Sequence, residues 1–420
     1  MNISQLYNIF KQCGSICTDS RKIIPNSIFF ALKGENFNGN KFAKKAVQDG
    51  CILSIIDEEK YLDEKCILVK DVKKCLQELA KFHRRKLNIP VIGITGTNGK
   101  TTTKELIYSV LSTQYNCYAT KGNLNNQIGL PLSILEINSE HEIAIIEMGA
   151  NKIGEIETLS NIAQPNSAII TNIGMAHLEG FGSLEGVIKT KTELYRFIKD
   201  NHGLLFVNFE DKVLIEKSNH IKRITYGFSS KSNYHSKKQD SSPFLSLKIE
   251  QTLINSNLVG EFQFYNILAA CAIGNYYKIS NLNLKKSIEN YKPKNNRSEI
   301  VETENNYIIL DAYNANPSSM ESMINSFIEL NKENKLLILG EMRELGEYSE
   351  EEHKILVSKI DQLQIECIYI GESFLNISKQ NTYKNTKDFL KEIGKYNMKN
   401  RTILIKGSRG IQLEDIIKYL

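Results

Sequence analysis

The sequence has no C-x-x-C pair, no run approaching the ~20 apolar residues of a membrane-spanning helix, and no marked excess of either charge sign. Its eight cysteines, Cys13, Cys17, Cys51, Cys66, Cys75, Cys117, Cys271 and Cys367, are scattered, with no histidine near them at zinc-finger spacing. That excludes a zinc ribbon and a disulfide scaffold and leaves reduced thiols. The 53 lysines and arginines against 48 aspartates and glutamates leave a formal charge of +5, too little over 420 residues to argue for nucleic-acid binding. Single basic residues remain free to meet small anions. No basic segment leads into a long apolar run at the N-terminus, so the expectation is a cytoplasmic protein without membrane insertion.

What is present is the composition of a folded α/β protein, 41% hydrophobic and 24% charged, in a chain too long for one hydrophobic core. Short apolar runs at Ser27 to Ala31 and Cys51 to Ile56 alternate with helical patterns such as Lys41 to Gln48, a small α/β domain over residues 1–88. The basic cluster His83-Arg-Arg-Lys86 ends a helix, and Pro90 opens the next strand. Buried-strand patterns at Val91 to Thr95, Ile143 to Ile146, Ala168 to Thr171 and Leu204 to Asn208 are separated by helix-length segments, predicting a P-loop-type, mostly parallel sheet within residues 89–293. The polar stretch Ser229 to Pro243 reads as a mobile loop, and Phe244 to Phe262 as antiparallel strands appended to the central sheet. Strand patterns resume at Tyr307 to Asp311, Leu336 to Gly340, Cys367 to Gly371 and Thr402 to Lys406, a Rossmann-like third domain over residues 294–420.

The chemistry is most legible at Gly96-Thr-Asn-Gly-Lys-Thr-Thr102, placed where a buried strand becomes a helix. Backbone N–H groups and a helix N-terminus then converge on phosphate oxygens, and Gly96 and Gly99 allow close approach. Lys100 would reach the β and γ phosphates and Thr101 would ligate magnesium. Ile94 stands where the general eight-residue pattern puts its first glycine, so a glycine turn with a surface lysine is the bland alternative. Glu147, closing the apolar run Ile143 to Ile146, would emerge beside the loop, where a hard cation wants a carboxylate. Many strands end in a charge without function.

Together these residues resemble the Mur ligase family. The matches run from Thr18-Asp-Ser-Arg21 to Lys406-Gly-Ser-Arg409, in family order. They include the loop above, Gly122-Asn-Leu-Asn-Asn-Gln-Ile-Gly-Leu-Pro131, Glu147-Met-Gly-Ala-Asn151, Asn172 to Ser183, Lys191-Thr-Glu193 and Leu339-Gly-Glu-Met-Arg-Glu-Leu-Gly346. Several are similar to forms typical of members that join D-alanyl-D-alanine to UDP-N-acetylmuramoyl-tripeptide.

The resemblance implies ATP as cosubstrate, two magnesium ions and those two substrates; a monomer is expected. It implies ATP contacts from Gly96, Thr97, Asn98, Gly99, Lys100, Thr101, Thr102, Asn126, Asn266, Arg297 and Asp311. Metal ligands would be Thr101, Glu147, His177 and Lys191, the last as a carbamate. On residues alone, His177 could be an ordinary surface or core histidine, and Lys189 is an equal candidate to Lys191. Lys100, His177, Lys191 and Arg297 would be catalytic. Ser20 and Arg21 would hold the uridine nucleotide, and Tyr313, Asn314 and Arg409 would contact nucleotide or dipeptide. Asn316 and Pro317 are accounted for by a helix start. The chain departs from the family at Asn38 and Asn40, where Phe-Asp-Gly-His is commoner, at Phe264 and Tyr265, where a histidine usually precedes the asparagine, and at Glu341.

Rival readings are a ligase adding a diamino acid, a folate polyglutamate synthase, or a nucleotide-binding regulatory module. The first usually carries Asp-Asn-Pro-Arg in the third domain, absent here, and the second offers no match to the first-domain substrate segment.

Overall fold

The computed structural model describes residues 1–239, 243–378 and 381–420. Four short parallel strands, Ile16–Cys17, Ile28–Phe30, Leu53–Ile56 and Cys66–Leu68, form the first sheet in that order. The helix Val72–Lys86 starts at Asp71, whose side chain accepts the Lys74 N–H, and ends in His83, Arg84, Arg85 and Lys86, which oppose the negative end of its dipole.

Two members of that basic cluster do more than end a helix. Arg84 is buried and donates to the carbonyls of Ala163, Leu87 and Gln164 and to the side chain of Asn166. The ring of His83 is 2.7 Å from the Ile137 carbonyl, and burial lowers its pKa. One hydrophobic cluster runs from Leu6 and Phe30 through Leu79 to Ile146 and Ile170, so the first sheet and the central sheet share a core.

The central sheet has seven parallel strands, ordered Tyr234–His235, Arg223–Gly227, Leu204–Asn208, Ser167–Ile170, Val91–Thr95, Ile143–Glu147 and Cys117–Ala119. Val91–Thr95 lies between Ser167–Ile170 and Ile143–Glu147, so the loop after Thr95, the carboxylate of Glu147 and the segment from Thr171 all emerge at one edge. Ligands of parallel sheets bind at that carboxyl edge.

Two sequence expectations need correcting. The stretch 229–243 is not all loop: it supplies the strands Tyr234–His235 and Lys237–Gln239, while Asp240, Ser241 and Ser242 lie outside the described residues. Nor are the strands after Phe244 appended to the central sheet. Ser246–Ile249 and Thr252–Asn255 pair with Lys237–Gln239 in a separate three-stranded antiparallel sheet. The reason is burial on one face: Leu247, Ile249 and Ile254 pack into the cluster formed by Ile267, Leu268 and Leu284 rather than extending an edge.

The third sheet follows the order Glu299–Glu302, Asn306–Asp311, Arg401–Lys406, Lys335–Gly340, Glu366–Ile370 and Thr382–Tyr383, parallel except for its first pair. Separate apolar clusters cover its two faces, the doubly wound arrangement expected from the sequence. All eight cysteines are unpaired. Among the described residues, no helix is long and apolar enough to cross a membrane.

Candidate active site

A cleft of about 950 Å³ opens between the carboxyl edge of the central sheet and the third sheet. Its floor is the loop from Gly96 to Gly99, continuing into the helix Lys100–Leu111. Both loop glycines have left-handed backbone, with φ of 148° at Gly96 and 78° at Gly99. A Cβ at Gly96 would meet Oγ1 of Thr171 at 2.0 Å, so only glycine closes the turn against that strand end.

Lys100 folds over the loop, donating to the carbonyls of Gly96 at 2.8 Å and Thr97 at 2.9 Å. Burial lowers its pKa to about 8, with Glu147 opposing and Arg297 adding to the shift. An anion entering the cleft would give this ammonium a charged partner in addition to the two carbonyls. Thr101 and Thr102 are buried in the first turn of the helix.

Glu147 is 2% exposed. Its Oε1 accepts from Asn125 at 2.7 Å and from Thr101 at 3.3 Å, while Oε2 accepts no hydrogen bond. Asn125 stands in a quoted family segment, but sequence reading singled out only its neighbour Asn126. Asn126 accepts from the N–H groups of Ile128 and Gly129, beginning the helix Gly129–Leu135 at the cleft wall. Among the described residues no three His, Cys, Asp or Glu side chains form a metal cluster. Magnesium does not need one: a single carboxylate, a hydroxyl and substrate phosphates suffice, and Glu147, whose Oε2 accepts no hydrogen bond, together with Thr101 fits that donor set.

His177 has left-handed backbone, φ 50°, at the start of Leu178–Phe181. Its Nδ1 lies 2.6 Å from Oε2 of Glu344, a residue of the third domain. Lys191 is 2% exposed, with its ammonium 5.4 Å over the Phe181 ring, whereas Lys189 is exposed. Burial depresses the Lys191 pKa to about 7, helped by Lys100 and opposed by Glu155 and Glu193. Lys191 does not itself line the cleft.

Asn266 is packed under the loop. Its Oδ1 accepts from Thr103, its NH2 donates to Gln263, and a Cβ on Gly99 would sit 2.8 Å from it. From the third domain, the guanidinium of Arg297 stacks 3.6 Å from the Tyr313 ring and that of Arg409 lies 5.2 Å from it. Asp311 is engaged by protein: Oδ1 accepts from Ser298 N–H at 3.0 Å, and Oδ2 is 2.5 Å from buried Lys406. Lys406 also donates to the Asn314 carbonyl at 3.3 Å.

Ser20 and Arg21 are not brought to this cleft. They follow the strand Ile16–Cys17 in the first sheet, where Arg21 is largely exposed and makes two 2.9 Å hydrogen bonds to Asp19. The first domain instead reaches the cleft through Lys73, which donates to Gln127 at 3.4 Å. Sequence reading missed Lys73, Glu344, Lys104 and Lys406, for no spacing marks one lysine or glutamate among many.

The family model for the Mur ligase middle domain matches residues 94–274, that for the Mur ligase family catalytic domain residues 13–93, and that for the Mur ligase glutamate ligase domain residues 296–409. The chain belongs to the Mur ligase family. A UDP-N-acetylmuramoyl-tripeptide--D-alanyl-D-alanine ligase of Bacillus subtilis is 35% identical over 96% of this Mur ligase and 92% of its own length. Among solved structures, MurF from Acinetobacter baumannii superposes with a TM-score of 0.87 at 29% identity, covering 96% of this chain and 92% of that one. MurF ligase from Thermotoga maritima in complex with ADP superposes with a TM-score of 0.85 at 26% identity, covering 96% of both chains. Residues 13–93 of this Mur ligase carry the four-stranded first sheet, 94–274 most of the central sheet together with the separate antiparallel sheet, and 296–409 the six-stranded sheet.

Proposed function

We infer that this Mur ligase is an ATP-dependent enzyme that joins D-alanyl-D-alanine to UDP-N-acetylmuramoyl-tripeptide, giving the UDP-N-acetylmuramoyl-pentapeptide precursor of peptidoglycan, ADP and phosphate. The observation that carries this reading is the match over 96% of the chain to a ligase of that name, in a molecule whose phosphate loop faces third-domain cations across one cleft. The tripeptide's terminal carboxylate attacks the γ phosphate, the bond to ADP breaks, and the amine then displaces phosphate from the acyl phosphate. The first step brings an anion onto a triphosphate, so positive charge must be preorganised there. Lys100 and Arg297 supply it from opposite walls.

Thr101 and Glu147 would hold one magnesium ion, which shields triphosphate charge when bound. A second would draw on His177 and on Lys191 as a carbamate, formed when the neutral amine adds carbon dioxide and releases a proton. In this reading residues 1–88 hold the UDP-sugar through Ser20 and Arg21, residues 89–293 bind ATP, and residues 294–420 bring Tyr313, Asn314 and Arg409 to nucleotide and dipeptide. Asn126, Asn266 and Asp311 would shape the ATP pocket, Asn266 and Asp311 through the protein contacts described above. The enzyme works as a cytoplasmic monomer, where ATP and the UDP-linked substrate are available.

Mass analysis of products from ATP, UDP-N-acetylmuramoyl-tripeptide and a panel of amines tests the reading. The expected result is one condensation product with D-alanyl-D-alanine and stoichiometric ADP. Condensation with a diamino acid or glutamate instead, or slow ADP release independent of both peptide substrates, would overturn it.

A further inference from the structure

Asn316 makes more hydrogen bonds than a helix start requires. Its Oδ1 accepts the Ser319 N–H at 2.9 Å, and its own N–H donates to Ser319 Oγ at 3.1 Å, closing a capping box ahead of Pro317–Ile328. An oxygen is all that a cap needs, and serine, threonine or aspartate would serve. The amide NH2 is surplus to that task. It donates to Oδ1 of Asn98 at 2.8 Å, and Asn98 returns a longer contact of 3.4 Å from its Nδ2 to Oδ1 of Asn316.

Asn98 belongs to the phosphate loop, and its backbone is already held by the central sheet. Its N–H donates to Asn172 Oδ1 at 3.0 Å, and its carbonyl accepts from Thr171 Oγ1 at 2.6 Å and Asn172 Nδ2 at 3.0 Å. Only the side chain is left to reach elsewhere. Ser318 of the third-domain helix touches the segment that braces the same loop: its Oγ accepts the Met175 N–H at 3.1 Å, and the adjacent Gly174 exchanges two hydrogen bonds with Thr97. The chain enters the third domain through Asn295, Asn296 and Ser298, all left-handed, with φ of 62°, 57° and 53°. Such a run in non-glycine residues is held by its surroundings and marks a place where the backbone changes direction.

We propose that Asn316 is a positioning residue that couples the seating of the third domain to the arrangement of the phosphate loop, by holding the side chain of Asn98. It touches no reacting atom. Through this contact the domain that brings Arg297 registers on the loop that carries Lys100, so the two cations face each other only when the domain is seated. This rests on the ligase reading above.

The test uses the full chain with Asn316→Ser, which keeps the cap but is too short to reach Asn98, and Asn316→Thr as a second capping variant. Both should unfold at the wild-type temperature. The KM for D-alanyl-D-alanine should rise about tenfold, the equivalent of one cross-domain hydrogen bond. In an Asn98→Ala background, replacing Asn316 by serine should add nothing, because the pair is already broken. Small-angle scattering with a non-hydrolysable ATP analogue should show both capping variants more expanded than the wild type. Wild-type KM and scattering in both, or independent effects that multiply in the double variant, would overturn the proposal. The scattering readout does not depend on which amine is joined, so it can fail while the product assay succeeds, and the reverse.

Discussion

Nζ of Lys104 lies 3.6 Å from Oε2 of Glu147, with side-chain exposures of 4% and 2%. Lys104 also donates to the Thr120 carbonyl at 2.8 Å, and Thr120 Oγ1 accepts the Glu147 N–H at 3.0 Å. A buried cation thus balances the carboxylate assigned to magnesium. Removing one member of a buried pair leaves the other uncompensated. Lys104→Met should therefore destabilise the protein by roughly 3–5 kcal/mol in urea unfolding. Adding Glu147→Gln should recover most of that stability while ADP release stays lost. Equal stability of the single and double variants would show that the pair is not coupled.

Among the described residues Lys100 forms no ion pair with a carboxylate, and it holds two loop carbonyls instead. Lys100→Ala should reduce turnover by about two to three powers of ten, the scale of losing one preorganised electrostatic contact. The measurement is ADP release at saturating substrates. Near-normal turnover in the folded variant removes Lys100 from the catalytic set.

The depressed pKa of Lys191, about 7, makes its amine neutral above that pH and an ammonium below it. Only the neutral form adds carbon dioxide. Enzyme stripped of carbon dioxide should lose activity and regain it with bicarbonate, more completely at about pH 8 than at about pH 6. Activity indifferent to bicarbonate, with an unmodified lysine in mass analysis of the intact protein, would sink the carbamate.

His353 is fully buried, accepts the Met342 N–H on Nε2 at 3.0 Å and lies 2.6 Å through Nδ1 from the Ser349 carbonyl. Those contacts suit the neutral ring with its proton on Nδ1, and burial lowers its pKa. The unfolded chain then takes up the proton first, so the contribution of His353 to stability is full above about pH 6.5 and declines as pH falls toward the folded value. Urea titrations across that window should show the slope. His353→Ala should flatten part of it and cost roughly 2–4 kcal/mol; His83, shifted the same way, contributes in the same direction.

Much of the fold was readable because its strands are buried on both faces. Val91 to Thr95 and Leu204 to Asn208 are continuous apolar runs, and such runs bounded by turns have few other uses. The polar stretch after Ser229 was misread because Lys237–Gln239 is a mostly exposed edge strand, whose pairing is made by backbone and leaves little pattern in side chains. The glycine loop, Glu147 and Arg297, singled out from their segments, line one cleft. Glu344, Lys406 and the second role of Asn316 were not singled out, since each acquires its partner more than 90 residues away along the chain.

The sequence by itself determined the phosphate loop, the parallel sheets and the membership of the Mur ligase family, because backbone turns, strand periodicity and ordered short segments are local properties. Tertiary structure alone decided which lysine is buried, Lys191 rather than Lys189, and that Asp311 is engaged by Lys406. It also decided that the third domain touches the phosphate loop through Asn98 and Asn316. Burial and pairing depend on what the rest of the chain brings alongside, and desolvation and hydrogen-bond partners are not written in any one segment.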